Sequence, residues 1–361
     1  LRADGWPWDQ EACSAAALGK HLEVLQWARA NGCPWDIRTC DNAAGGGHLK
    51  VLLWARKNGR PCDENELHVA VLNGQVAMVR ALIELRAHVN KAAGVDGVAP
   101  LCVAADRGHD AIVRTLIEFG ADVNKARDDG ATPLYSAAQQ GHEAVVRALV
   151  EASADVKKPW ENGTTPLYAA AHQGHEMVVR ALIELGADIN QARDDGTTPL
   201  CVAAHQGHEM VVRALIELGA DINQARDDGT TPLCVAAHQG HEMVVRALIE
   251  LGADVNKTVD EGGTPLFIAA YQGNEAMVRA LIEAGADINK ALLDGGETPL
   301  FIAAHQGHEA AVRALIELGA DVSKAENNGV TPLSVAAQEG HTAIVQILRD
   351  AVLVQMRNLS L

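Results

Sequence analysis

The chain is predicted to fold as an all-α repeat solenoid, in which helix-turn-helix units are stacked and a hairpin loop projects from each. Three observations predict this fold class. Residues 164–196 return as residues 197–229 with two changes, Tyr168 to Cys201 and Ala169 to Val202. The tripeptide Thr/Ala-Pro-Leu recurs with a period of 33, and glycines punctuate each repeat at matching places. A fixed period of this length is typical of stacked supersecondary units.

One repeat shows how the sequence sets each element. Thr165 is a strong N-cap, and Pro166 follows at the first helical position, where its missing N–H is not needed. Gly174 ends this first helix in the left-handed conformation that glycine adopts without strain. A second helix is predicted over residues 176–185, and Gly186 ends it before a polar, turn-rich loop. Since two helices of about ten residues hold no core alone, neighbouring repeats must cover their apolar faces.

The whole chain, residues 1–361, is predicted to form one continuous solenoid. Its parts are short 27-residue repeats (1–62), a transitional repeat (63–97), full 33-residue repeats (98–347) and a C-terminal cap or tail (348–361). The short period is marked by Trp8-Asp9, which returns as Trp35-Asp36 and as Cys62-Asp63. Because Leu1 aligns inside the end of an earlier repeat, the chain is expected to be a fragment.

One step between Thr/Ala-Pro-Leu markers is longer than the others. It runs from Pro265 to Pro299 and spans 34 residues. Loops tolerate insertions best, so the extra residue is predicted to lie in the loop 292–297.

Composition limits the classes of partner. The chain carries 47 Asp and Glu against 30 Lys and Arg, a formal charge of −17. Nucleic-acid binding needs a basic footprint, so nucleic acid is not expected as a partner. No apolar run approaches the roughly 20 residues that span a bilayer, so membrane insertion is not expected. The seven Cys sit singly, in part at equivalent repeat positions, which favours a reducing, cytoplasmic setting over a disulfide framework; the nucleus stays open.

Catalytic and metal-binding patterns are missing from the sequence. There is no Gly-rich phosphate loop, no G-x-S-x-G and no H-E-x-x-H motif. Cys33, Cys40 and His48 fit no usual zinc-ligand spacing. The protein is therefore expected not to be an enzyme, to bind no cofactor or metal, and to act on no small-molecule substrate.

The period of 33 and the frame T-P-L, A-A, G-H and G-A-D-[VI]-N resemble the ankyrin repeat. The resemblance is specific over residues 98–347 and weaker over 1–97, where the short units look like ankyrin repeats without the hairpin. It implies an elongated, curved solenoid whose first helices and hairpin tips line a concave surface that binds partner proteins, without catalysis. It also implies that the His of the Gly-His pair braces the turns between repeats.

Two departures from the ankyrin pattern matter for structure. The glycine that ends the second helix is Arg86 in one repeat and Ser153 in another, and both are expected to adopt the left-handed conformation at a cost. The hairpin aspartate is replaced in four repeats, by Arg127, Trp160, Arg193 and Arg226. We also expect charged side chains such as Glu209, Arg213 and Glu217 to form a weak ion-pair line along one second helix.

Candidate partner-binding residues are those that vary on the predicted groove and tips. Aromatic side chains are favoured interface anchors, and those on the groove face are Tyr135, Tyr168, Phe267, Tyr271 and Phe301. The alternative for those directly after T-P-L is that they fill space beneath the hairpin. A row of histidines ends the first helices and would make binding depend on pH near 6.5: His172, His205, His238 and His305.

The hairpin tips supply further candidates. Trp160 is either an exposed anchor or packs on the next tip. Acidic pairs recur at Asp128-Asp129, Asp194-Asp195 and Asp227-Asp228, with a similar pair at Asp260-Glu261. They indicate either a partner with a basic patch or tips that are simply solvated.

Three functions remain open from the sequence. The first is a monomeric protein-interaction scaffold that uses the concave first-helix and hairpin-tip surface. The second is a substrate-recruiting arm of a larger enzyme or channel whose effector domain lies outside this chain. The third is a passive elastic spacer.

Overall fold

The computed structural model describes residues 9–59, 65–92, 97–260 and 262–359. These residues form 22 α-helices and one short 3₁₀ helix, Glu161–Gly163, which confirms the all-α repeat prediction. In the short and transitional repeats the helices are α1 (Gln10–Leu18), α2 (Leu22–Ala30), α3 (Arg38–Gly45), α4 (Leu49–Lys57), α5 (Asn65–Leu72) and α6 (Val76–Glu84). Leu1, Trp8, Cys62, Asp63 and Glu261, to which some predictions refer, lie outside the described residues.

The full repeats each contribute a first and a second helix. The first helices are α7 (Pro100–Asp106), α9 (Pro133–Gln140), α11 (Pro166–Gln173), α13 (Pro199–Gln206), α15 (Pro232–Gln239), α17 (Pro265–Gln272), α19 (Pro299–Gln306) and α21 (Pro332–Gln338). The second helices are α8 (Asp110–Glu118), α10 (Glu143–Glu151), α12 (Glu176–Glu184), α14 (Glu209–Glu217), α16 (Glu242–Glu250), α18 (Glu275–Glu283), α20 (Glu309–Glu317) and α22 (Thr342–Leu359).

The chain divides into two compact units. The N-terminal unit comprises residues 1–170 and 184–187, and the C-terminal unit comprises residues 171–183 and 188–361. Within each unit, first helices pack on first helices and second helices on second helices of the neighbouring repeats, as α7 packs on α9 and α14 on α16. One continuous solenoid over the whole chain remains a prediction.

Most first helices of the full repeats begin at a capping threonine and end at a left-handed glycine, as the sequence predicts. In the repeat that begins at Thr198, the threonine Oγ1 accepts a hydrogen bond of 3.1 Å from the backbone N–H of Cys201. Gly207 ends α13 with a φ of 77°, in the left-handed region. The hairpin tip is closed by a 3.0 Å bond from the N–H of Arg226 to the carbonyl of Thr230. The predicted order of helix, turn, helix and hairpin is confirmed.

The position that ends the second helix is left-handed even where it lacks glycine. Ser153 has a φ of 70° and Arg86 a φ of 72°, whereas Gly120 at the same position has a φ of 84°. The expected strain at these two residues is therefore present in the backbone.

Alanine makes close packing between repeats possible. Ala203 and Ala204 on α13 are fully buried, as is Leu215 on α14. Small residues on the first helices allow the backbones of neighbouring helices to approach closely, while branched side chains on the second helices fill the remaining space.

Histidines of the Gly-His pairs connect successive repeats. In the N-terminal unit the His142 Nε2 lies 3.0 Å from the carbonyl oxygen of Asp106. In the C-terminal unit the His241 Nε2 lies 2.9 Å from the carbonyl oxygen of His205. These carbonyls lie at the C-terminal ends of first helices, where no intrahelical partner exists. The histidines therefore brace the turns, as the resemblance implied.

Asparagines form a second connection, along the hairpins. The Asn190 Oδ1 accepts a 3.0 Å bond from the N–H of Asp221, and the Asn223 Oδ1 accepts a 2.9 Å bond from the N–H of Asp254. Each bond joins one hairpin to the next and satisfies a backbone donor that would otherwise lack a protein partner.

The ion pairs on the second helices differ from the expected line along one helix. Arg213 contacts Glu209 of its own helix at 2.9 Å and Glu250 of the following repeat at 2.9 Å. Glu217, which we expected to pair with Arg213, instead contacts Arg180 of the preceding repeat at 2.9 Å. The predicted pair of Glu209 with Arg213 is confirmed. The predicted pair of Arg213 with Glu217 is wrong, because the stacking of repeats brings the end of one second helix close to the middle of the preceding one.

The short and transitional repeats have their own contacts. The Trp35 and Trp54 rings meet edge-on at 5.7 Å, and the Arg29 guanidinium lies 4.3 Å from the centre of the Trp35 ring. Arg56 forms a 2.9 Å ion pair with Glu66, whose side chain is fully buried.

The C-terminal segment continues the last second helix. α22 runs for 18 residues, whereas α20 has 9. Gln355 Nε2 donates to the carbonyl of Ala320 at 3.3 Å, while Leu353 and Val354 are exposed.

Candidate partner-binding surface

The position after T-P-L is covered by the hairpin of its own repeat. The Cys102 thiol donates a 3.3 Å bond to the carbonyl of Lys125 in that hairpin. Burial raises the pKa of Cys102 to about 12, so the thiol stays protonated and unreactive.

Three predicted groove aromatics share this covered position. Tyr135, Tyr168 and Phe301 are only 5%, 7% and 6% exposed. The expectation that they face an open groove is wrong for these three residues, because the hairpin covers the start of the first helix. Phe267, at the same position, is half-buried.

Trp160 packs on a neighbouring tip rather than standing free. Its ring lies 4.9 Å from the Tyr135 ring, and its Nε1–H donates a 2.6 Å bond to the carbonyl of Asp129. Asp129 belongs to the preceding tip, not the following one that the alternative named. The indole is half-buried and closes a small cluster with Tyr135, Ala131 and Ala169.

The histidine row lies at the ends of the first helices, as expected. His205 and His238 are exposed, and His172 is half-buried. The Gln206 Nε2 lies 3.1 Å from the His172 Nε2, and Gln239 makes the same contact with His205 at 3.2 Å. Burial, reinforced by the positive charges of neighbouring residues, lowers the pKa of His172.

His305 differs from the rest of the row. Its ring stacks on Phe301 at 6.4 Å, with an interplanar angle of 13°. This stacking holds the imidazole at the end of α19, where it is half-buried.

Tyr271 occupies the histidine position in its repeat and is 45% exposed. It follows Phe267 by four residues, so both side chains lie on one face of α17. Sequence reasoning missed one exposed apolar residue in the same repeat. Leu293 on the hairpin tip is 69% exposed, and the extra residue of its loop was the available signal.

The acidic tips combine one structural and one solvent-facing carboxylate. The Oδ1 atoms of Asp195 and Asp228 accept 2.9 Å bonds from the N–H groups of Thr197 and Thr230. Hydrogen bonds from Thr230 lower the pKa of Asp228. Asp194 and Asp227 are exposed, and within the described residues their carboxylates form no hydrogen bond or ion pair. Asp194 and Asp227 are therefore the members of these two pairs whose carboxylates face solvent.

Metal-ligand clusters and membrane-spanning helices are two features that the described residues do not show. No group of three or more His, Cys, Asp or Glu side chains is placed to hold a metal ion there. None of the helices in the described part of the chain is both long and apolar enough to cross a membrane.

Comparison with known proteins agrees with the geometry. The family model described as ankyrin repeats (3 copies) matches residues 12–126, 67–159, 152–226, 218–292 and 290–356, which together span most of the chain. A search of curated proteins found no match. Ankyrin repeats are generally protein–protein interaction modules and are typically non-catalytic. The matched repeats, helix pairs and hairpins show that this chain belongs to the ankyrin-repeat family.

Proposed function

We propose that the chain is a protein-interaction scaffold that binds partner proteins on the surface formed by the ends of the first helices and the hairpin tips, without catalysis. This proposal rests on which positions of the repeat differ in residue type from one repeat to the next. The buried frame is nearly constant from repeat to repeat. The accessible position near the end of the first helix holds histidine, glutamine, tyrosine or, in α7, aspartate. Side chains that differ on a constant frame are what selective recognition requires.

Charge supports a basic partner surface. Residues 171–361 hold 26 Asp and Glu against 12 Lys and Arg, so most of the net charge lies there. Asp194 and Asp227 place part of this charge on exposed tips. An acidic surface raises the association rate with a basic partner and disfavours binding of acidic partners. The same charge disfavours nucleic acid, and we retain a monomer in a reducing, cytoplasmic setting as a prediction.

Site-directed photo-crosslinking tests the proposed surface. A benzophenone amino acid is placed at His205 or His238 on the proposed surface, with Met210 on the second helix as the matched control, since Met210 is 58% exposed. In extracts of cells that express the protein, we expect covalent adducts with other proteins from the two histidine positions and few from Met210.

The alternatives predict other results. Equal adducts from all three positions would contradict the proposed surface. A complete lack of adducts would favour the passive spacer. A substrate-recruiting arm would give adducts whose partner is chemically modified only when the complete parent protein is present.

A further inference from the structure

The repeat that begins at Pro265 differs from the two preceding repeats at several exposed or half-buried positions. It carries Phe267 where the two preceding repeats carry Cys201 and Cys234, and Tyr271 where they carry His205 and His238. It is also the repeat with the 34-residue step. The buried core of the repeat is unchanged, since Leu266, Ala269 and Ala270 remain fully buried.

The extra residue changes the hairpin of this repeat. Its loop closes with a 3.0 Å bond from the N–H of Leu292 to the carbonyl of Glu297, five residues on. The corresponding bond in a regular hairpin joins Arg226 and Thr230, four residues apart. In this repeat Phe267 is half-buried, whereas Cys201 at the same position is 1% exposed.

Leu293 takes the place of an aspartate in a row that runs along the tips. A side chain built at Gly229 would collide with the carboxylate of Asp260, and one built at Gly262 would collide with Leu293. The two side chains therefore lie over equivalent glycines of the preceding tips. Leu293 is 69% exposed, so it presents an apolar side chain at a tip position where the preceding repeats carry a carboxylate.

The hairpin tips of this part of the chain carry exposed carboxylates. Asp227, Asp228, Asp260 and Asp294 are exposed on the same and the preceding tips. Of the nearby cations, the Lys257 Nζ is engaged with the carbonyl of Asn223 at 2.8 Å, and Lys290 is exposed. The exposed charge on these tips is thus mainly negative.

We propose that Phe267, Tyr271 and Leu293 are anchor positions for a partner segment that runs along this repeat and carries aliphatic or aromatic side chains flanked by Lys or Arg. The apolar residues bind these side chains, and the acidic tips select the basic flanks. This inference rests on the proposed function, because it names the partner class of the same surface.

A phage-displayed library of random dodecapeptides, selected on the full chain, tests the inference. The variant F267C/Y271H/L293D replaces each residue with the one found in neighbouring repeats, so the fold is expected to be retained, and circular dichroism verifies this. Met210→Ala and Met243→Ala serve as matched controls, because both side chains are exposed on second helices, outside the proposed surface.

We expect enriched peptides to combine an apolar residue with Lys or Arg, and the triple variant to weaken their Kd by about tenfold or more, as loss of interface anchors does. The controls should change Kd by less than about threefold. Added salt should also weaken binding, because the basic flanks face carboxylates.

Other outcomes overturn the inference. Peptides that bind the triple variant as tightly as the native chain would refute the anchor site but leave the scaffold proposal intact. Enrichment of acidic peptides, or of none, would also refute the anchor site. The scaffold proposal is judged separately, by crosslinking from His205 and His238.

Discussion

Replacing Ser153 with glycine should stabilise the protein. Ser153 ends the second helix of its repeat with a φ of 70°, in the left-handed region. That conformation costs a residue with a Cβ roughly 1–2 kcal/mol. Glycine removes this cost but gives the unfolded chain more freedom, which offsets about 0.4–1 kcal/mol. We therefore expect the free energy of unfolding to rise by about 0.5–1 kcal/mol.

The structure supplies a reciprocal control in the same unit. Gly120 occupies the equivalent position with a φ of 84°, and a Cβ there would meet no atom within 4 Å. Gly120→Ser should therefore lose stability through the backbone alone, by a similar amount. Ser153→Ala keeps the Cβ and should change stability little, which separates the backbone effect from the loss of the hydroxyl.

Urea unfolding followed by circular dichroism measures these changes, with a thermal scan as a second readout. A change of 1 kcal/mol shifts Tm by about 2–4 °C in a cooperative unit of this size. Since repeat arrays unfold partly by segments, hydrogen exchange near Ser153 gives the local free energy directly. An unchanged or lower midpoint for Ser153→Gly, together with a destabilised Gly120→Ser, would refute the reasoning.

Three further predictions follow from the same geometry. A double-mutant cycle of Arg180→Gln and Glu217→Gln should give a coupling of at most about 1 kcal/mol that disappears in high salt; a coupling that survives high salt would contradict the exposed pair. Since burial lowers the pKa of His172, the unfolded chain binds its proton more readily. The stability that His172 contributes should be intact above its unfolded pKa of about 6.5 and fall as pH decreases below it, and an NMR titration midpoint at or above that value would contradict this. Trp160→Ala should lower the free energy of unfolding by about 1–3 kcal/mol, because it removes the Tyr135 contact and one hydrogen bond; equal urea midpoints for variant and native chain would show that the indole adds nothing.

The sequence alone determined the fold class because each structural element has a local cause. Thr198 caps a helix through its own hydroxyl, and Gly207 turns the chain because it lacks a Cβ. Even the strained Ser153 was predictable, since the repeat frame shows where a left-handed residue must stand. The longer step between Pro265 and Pro299 likewise located the enlarged loop.

Only the tertiary structure decided which varied residues are accessible and which charges pair. Tyr135 and Tyr271 both interrupt the repeat pattern, yet one is 5% and the other 45% exposed. The difference arises because a hairpin that returns over the start of the first helix covers Tyr135 and leaves the helix end open. Glu217 pairs with Arg180 rather than with Arg213 because the stacking of repeats brings the end of α14 close to the middle of α12. The period of a repeat identifies equivalent positions, but contacts between side chains of different repeats depend on how closely those repeats stack.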